Sequence, residues 1–292
     1  MSTIKVEHLN KHFRKQKVLD DINLTFGSNQ IYGLLGRNGA GKSTLLNIIT
    51  DRIFASAGHV KLDGENLHDN GDMLAKVFMM SQDNLYPDSM KVKTIIKTTA
   101  TLYDHFNQPL ADDLVKKFDV NLNTKFSKLS TGYHSIVKLI IALCVPASII
   151  IFDEPTLGLD ANHRELFYSE LIQSYSETPR TIIIATHLID EVANLVNNVV
   201  IINDGHVIVN DDNETVIKKA HTITGPEKEL DGYCDGLNII GSKRLGNLKT
   251  NYIYGPLNDQ RMLPDTVKIE GLDLQTLFIY LTKRDGEVIN NE

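Results

Sequence analysis

Hydrophobic and polar positions change period along this chain, and the changes divide it. Residues 4–9 alternate apolar and polar, and residues 18–26 place Ile22, Leu24 and Phe26 on one side, the pattern of half-buried strands. Residues 31–35 form a short continuous apolar run, suited to a buried strand, and 43–49 then take helical spacing with Leu45, Leu46 and Ile49 turned inward. Residues 58–64 read as a short strand ending in a turn, and 77–80 as another. Helical patterns follow at 92–103, 110–118 and 135–143, so a helical insert interrupts the alternation. It resumes with a strand at 149–152, a helix at 162–175, a strand at 181–185, a helix at 188–195 and a strand at 199–202, which implies a parallel sheet with crossover helices. From about residue 211 the rhythm breaks into short strands at 222–224, 237–240, 252–254 and 267–269. Leu274, Leu277, Phe278 and Leu281 close the sequence with the stripe of an amphipathic helix, expected to dock onto this β-rich appendage.

Length, charge and cysteine content narrow the classes. A chain of 292 residues accommodates one main domain with a small appendage. A formal charge of -7 argues against a nucleic-acid partner, and the short basic cluster Arg14-Lys15-Gln16-Lys17 reads as a solvated loop. Cys144 and Cys234 are the only cysteines; they are far apart and lack metal-ligand spacing, so neither a disulfide framework nor a zinc site is expected and reduced cytosol is the natural compartment. Lys5, Glu7, Lys11 and Arg14 stand where a signal peptide would need an apolar core. The most apolar segment, 139–152, is too short to span a bilayer and is interrupted by Pro146 and Ser148, so membrane contact is expected only through a partner.

Candidate chemistry centres on Gly36-Arg37-Asn38-Gly39-Ala40-Gly41-Lys42-Ser43-Thr44, which fits G-x-x-x-x-G-K-[ST] between a strand and a helix. Glycines let the backbone curl until successive N–H groups face one anion, and the helix N-terminus adds its positive end. Lys42 supplies a mobile charge for the outer phosphates, and the Ser43 hydroxyl suits magnesium. The strand at 149–152 ends in Asp153-Glu154. We expect it beside the strand that bears the phosphate loop, with Asp153 holding magnesium through water and Glu154 activating the attacking water. His187 follows the next apolar strand and would emerge at the same sheet edge, in reach of a γ-phosphate. Gln82 ends the strand at 77–80 and leads into the helical insert, so its amide can touch magnesium while moving that insert. Ser130 or Thr131 also suits a helix N-cap, as does Asp160.

Taken together, the phosphate loop, Gln82, Leu129-Ser130-Thr131-Gly132-Tyr133, Asp153-Glu154-Pro155-Thr156, Gly158-Leu159-Asp160 and His187 resemble, in order and spacing, an ATP-binding-cassette (ABC) ATPase over about residues 3–220. The likeness is to ATPase subunits of bacterial exporters whose membrane subunits are separate chains, including exporters of peptides, drugs and lantibiotic-type toxins. It implies an α/β P-loop NTPase core with an N-terminal antiparallel β lobe, a nucleotide-binding domain at 1–220 with its helical subdomain at about 83–145, and an accessory domain at 221–292. It implies ATP hydrolysis with Mg2+, a homodimer or paired ATPase subunit, membrane-spanning partners and the cytoplasmic face of the membrane. Arg37, Asn38, Gly39, Ala40, Gly41, Lys42, Ser43, Thr44 and Gln82 would hold ATP, with Phe13 against adenine. Ser43, Gln82 and Asp153 would serve the metal, and Glu154 and His187 the chemistry. Ser130 and Gly132 would bind the nucleotide of the opposite subunit, and Asp160 would communicate across the dimer. The family's signature loop is usually LSGGQ; here Thr131 replaces the first glycine and Tyr133 the glutamine, which implies slower or weaker dimer closure. The helical insert around Leu85, Tyr86 and Pro87 is where the family receives a helix from its membrane partner. The alternative classes are a soluble ABC-type ATPase acting on ribosomes or DNA, and a regulatory subunit that binds ATP with feeble catalysis.

Overall fold

Strand residues that are apolar without alternation need cover on both faces, and the chain supplies it. The computed structural model describes residues 2–257 and 261–283; of the C-terminal segment expected at 221–292, residues 258–260 and 284–292 lie outside the described residues. In chain order the elements are β1 (Ile4–Phe13), β2 (Gln16–Phe26), β3 (Ile31–Leu35), α1 (Lys42–Ile49), β4 (Ala57–Leu62), β5 (Glu65–Asn66), α2 (Gly71–Leu74), β6 (Val77–Met80), α3 (Val92–Leu102), α4 (Gln108–Lys117), α5 (Thr131–Cys144), β7 (Ile149–Asp153) and α6 (Ala161–Glu177). There follow β8 (Thr181–Thr186), α7 (Ile189–Val192), β9 (Asn198–Asn203), β10 (His206–Asp212), α8 (Asn213–Lys218), β11 (Ala220–Pro226), α9 (Glu227–Cys234), β12 (Ile239–Leu245), β13 (Leu248–Tyr254), β14 (Lys268–Gly271) and α10 (Leu274–Leu281).

The central sheet has the order β10-β9-β3-β8-β7-β6, parallel except for the antiparallel edge strand β10. Alternate residues of its strands feed two separate cores. Ile150, Phe152, Ile182 and Ile184 join one face with α5 and α6, while Ile149, Ile151, Ile183 and Ala185 join the other with α1. That second core is closed by the antiparallel sheet β2-β1-β4-β5, whose inward residues include Ile22, Leu24 and Phe26. The strand neighbourhood differs from expectation: β7 does not adjoin β3, because β8 lies between them. The carboxylate strand is thus two places from the phosphate-loop strand, and the histidine strand separates them.

A third sheet, antiparallel with order β12-β13-β11-β14, forms from residue 220 onward and encloses its own small core of Ile223, Leu230, Tyr233, Cys234, Ile253 and Val267. The sequence pattern missed its helix α9, and the strand expected at 237–240 begins at Ile239 and runs to Leu245. The helix expected at 188–195 is only Ile189–Val192. Docking of α10 also differs from expectation. It packs on β12 and β13, with Tyr280 stacked on Tyr252, but it lies equally against α7, and Leu274, Leu277 and Phe278 enter the large core of the central sheet. The two cysteines are both free and buried.

Candidate active site

The C-terminal ends of β3, β7 and β8 deliver their following residues to one edge of the central sheet, the edge at which open α/β sheets bind ligands. The loop after β3 turns tightly, with the Ala40 N–H donating to Arg37 O at 3.0 Å. Gly41 caps α1 in the left-handed region at φ 111°, and a Cβ there would stand 2.7 Å from Leu19 Cδ2 of β2. Only glycine satisfies both conditions. Lys42 is 6% exposed; its ammonium donates to Gly36 O at 2.6 Å and lies 3.6 Å from Glu154 Oε1. Burial pushes the Lys42 pKa down, and the neighbouring Glu154 and Asp153 carboxylates oppose that shift.

Asp153 ends β7 and accepts from the Ser43 hydroxyl at 3.2 Å. The Gln82 side chain lies near enough to the same carboxylate to help hold its pKa down. Burial raises the Asp153 pKa above the ordinary carboxylate range, and the Ser43 hydrogen bond partly counters this. A hydroxyl, a carboxylate and a side-chain amide are the hard oxygen donors that magnesium takes alongside phosphates and water, so this set fits the metal. Among the described residues there is no cluster of three or more His, Cys, Asp or Glu able to hold an ion without a phosphate ligand.

Glu154 adopts φ 51°, a strained backbone for a side chain of its size and of the kind that gathers at active sites. Its N–H donates to Ala185 O at 2.8 Å, which aims the side chain toward β8. Oε2 then accepts from Thr186 Oγ1 at 3.1 Å and from His187 Nδ1 at 2.9 Å. The Thr186 hydroxyl in turn accepts from Leu188 N at 3.0 Å, fixing the loop that carries His187. Glu154 and His187 are therefore brought into direct contact, which their 33-residue separation did not indicate.

Ser130 caps α5 by accepting from the Tyr133 N–H at 3.3 Å and is exposed. Thr131 begins that helix and is absent from the positive-φ positions, so threonine fits there without backbone strain. Gly132 faces the loop after β7 so closely that a Cβ would meet Gly158 O at 2.6 Å. The Ser135 hydroxyl donates to Leu157 O at 3.1 Å and holds the two loops together. Asp160 caps α6 through the His163 N–H at 2.9 Å, which lowers its pKa. Phe13 pairs with Gln16 at the tip of the β1–β2 hairpin, 47% exposed, with Lys11 Nζ 4.7 Å from its ring centroid.

Thr186, read from the sequence only as the residue before His187 and without a role of its own, is the one shared by Glu154 and the histidine loop. The sequence pattern missed the buried Lys138, and Glu191, which accepts from Thr156 at 2.9 Å, Tyr168 at 3.1 Å and Arg164 at 2.7 Å and so ties α7 to the loop after β7. Lys138 interrupts an otherwise apolar helical run, and that break was the available signal. From the C-terminal segment, Thr282 O accepts from Arg37 Nη1 at 3.4 Å and the Gln275 amide donates to Asp190.

A family profile described as "ABC transporter" matches residues 19–157. The ABC transporter ATP-binding protein NatA of Bacillus subtilis is 31% identical over 200 residues, covering 66% of this chain and 80% of that protein. A ribose import ATP-binding protein, RbsA of Streptococcus agalactiae, is 31% identical over 220 residues, covering 70% of this chain and 44% of the relative. Among solved structures, an ATP-binding subunit of an ABC transporter superposes with a TM-score of 0.67 at 19% identity, over 74% of this chain and 92% of that one.

Proposed function

The chain belongs to the ABC transporter family of ATP-binding subunits, which hydrolyse ATP, and from that premise we propose that it is the motor of an exporter, closing as a dimer around two ATP molecules and driving separate membrane-spanning subunits. The observation that carries this reading is the pairing, at one sheet edge, of Lys42 with Glu154, of Glu154 with His187 and of Ser43 with Asp153. Export of a peptide, toxin or drug is supported by the motif set's likeness to exporter motors. Import is the second reading, favoured by the similarity to a protein named for ribose import.

In this mechanism Lys42 exchanges Gly36 O and Glu154 for the β- and γ-phosphates. Glu154 takes a proton from the attacking water. His187, whose Nδ1–H is committed to Glu154, turns Nε2 toward the γ-phosphate, where it donates to a phosphate oxygen when the ring carries both protons. Ser43, Gln82 and Asp153 would hold magnesium, which offsets the charge on the transferring phosphoryl group. Ser130 and Gly132 of one copy meet the nucleotide of the other, and loss of the γ-phosphate releases them. Phe13 stacks on adenine, and Asp160 answers across the dimer.

Among the described residues no helix is long and apolar enough to cross a membrane, which supports membrane subunits on other chains. The groove between Arg52, Met80, Leu85, Tyr86, Leu102 and Tyr103, with Leu85 63% and Leu102 74% exposed, is our docking place for such a subunit. We assign residues 1–220 as the nucleotide-binding domain and 221–292 as an accessory domain of the motor, a division supported by the separate third sheet and its core. The test is ATP turnover by the purified chain together with co-purification of an integral membrane protein from its native cells. Turnover with association to ribosomes or DNA, and no membrane partner, would overturn the transport reading. Transport into inverted vesicles supports export, and transport in the opposite sense supports import.

A further inference from the structure

Lys138 is a buried charge that the nucleotide chemistry leaves unused. It lies on α5 among Ile136, Val137, Leu139, Ile140 and Ile141, all of them buried, and is itself 7% exposed. Its ammonium donates to two backbone carbonyls, Ser81 O at 2.9 Å and Gln82 O at 3.0 Å, and Asp83 attracts it only at longer range. Burial depresses its pKa, so the charged form is held there at a cost. Taking an ammonium out of water costs several kcal/mol, and an apolar side chain of similar length would fill the same space without that penalty. The position therefore has a use for its donors. Beside it the Ser81 hydroxyl is buried without a hydrogen-bond partner.

The contacts place Gln82 between two bodies. Its carbonyl is held by α5, and its side chain lies near the Asp153 carboxylate at the end of β7. The same helix begins at the Ser130 cap, eight residues and about 12 Å from Lys138 along a rigid axis. We propose that Lys138 is a positioning residue that fastens the Gln82 backbone to α5, so that the Gln82 side chain and the Ser130 cap move as one unit when the groove is loaded. This rests on the reading above, in which Gln82 serves the metal and Ser130 the partner's nucleotide. Without the tie, the segment from Ser81 to Asp83 is slack, and displacement of α5 no longer alters the Gln82 amide.

The test uses the full chain with Lys138→Met, Gln82→Ala and the double variant. Affinity for a fluorescent ATP analogue is measured in EDTA and in magnesium, and turnover is measured separately. Lys138→Met is expected to leave the EDTA affinity unchanged, because the Lys42 loop is untouched. It should remove most of the magnesium-dependent gain in affinity and lower turnover about tenfold, as loss of an outer-shell partner does. The double variant should be no worse than Gln82→Ala alone, since both changes act through one group. Multiplying effects, or an unchanged magnesium gain in Lys138→Met where Gln82→Ala loses it, overturns the proposal alone. An unchanged magnesium gain in Gln82→Ala overturns both the metal role of Gln82 and the proposal. Should Lys138→Met fail to fold, Lys138→Arg keeps the charge but moves its donors; a reduced magnesium gain with unchanged EDTA affinity supports the tie, and an unchanged gain overturns it.

Discussion

Replacing Glu154 with glutamine separates chemistry from binding, because the two oxygens of the carboxylate have different partners. Oε2 accepts from both Thr186 and His187, while Oε1 faces the Lys42 ammonium at 3.6 Å. An amide oriented with its oxygen in the Oε2 position keeps the first two bonds, so the histidine loop stays in place. Its NH2 then points at Lys42, and the ion pair is lost. At that separation the gross attraction is about 4 to 5 kcal/mol for an effective dielectric near 20, most of it offset by desolvation of two groups that are 6% and 8% exposed. A net release of about 1 kcal/mol makes Lys42 more available to phosphate, and ATP should bind roughly fivefold tighter. Loss of the general base should lower turnover about 10²- to 10⁴-fold, or about 3 to 5 kcal/mol in the barrier. Glu154→Gln should therefore accumulate an ATP-bound dimer. Glu154→Ala, which strands the buried Thr186 hydroxyl and removes the carboxylate partner of Lys42 and His187, should unfold earlier in urea, the buried orphan costing about 1 to 3 kcal/mol. Phosphate release, fluorescent-nucleotide titration and sedimentation with ATP and magnesium report the three quantities. Turnover within tenfold of the natural chain would refute Glu154 as the base, weaker ATP binding would refute its competition for Lys42, and monomers alone would count against the sandwich.

The remaining expectations concern the loops and the buried charges. Gly132→Ala forces a methyl to within 2.6 Å of Gly158 O; it should destabilise the chain by about 1 to 3 kcal/mol in urea unfolding and weaken closure of the dimer. Phe13→Ala should weaken ATP by about 1 to 2 kcal/mol, measured by titration, with GTP and ATP affected alike because stacking is base-tolerant. Asp153→Asn should lose magnesium-dependent binding yet raise the melting temperature at neutral pH. Burial raises the folded-state pKa of Asp153 above its unfolded value, so the folded chain holds the extra proton and the native protein loses stability as pH rises through that interval. Calorimetry between about pH 4 and pH 8 should show the advantage of asparagine growing with pH, and a gap that shrinks instead would contradict the sign. Arg180 donates to Leu143 O, Val145 O and the Ser174 hydroxyl from a buried position. Arg180→Met should cost about 2 to 4 kcal/mol in chemical unfolding without changing the KM for ATP.

Sequence alone determined the pieces with short-range causes. The phosphate loop is legible because glycine spacing, an apolar run and a helical pattern are contiguous, and the helices at Ser130 and Asp160 announce their caps in the residue before the first turn. The buried strands at Ile31–Leu35, Ile149–Asp153 and Thr181–Thr186 are equally legible as apolar runs. Such runs carry no alternation, however, and so say nothing of which face meets which core or which strand lies beside which. Strand order was decided only in the tertiary structure, where β8 separates β7 from β3 and brings Thr186 and His187 onto Glu154. The same holds for Lys138, whose meaning depends on two carbonyls more than fifty residues away, and for α10, whose apolar stripe fits the appendage and the central core at once. Periodicity reports what one segment needs to bury; the choice of partner depends on the shape and charge of surfaces that exist only after the other segments have folded.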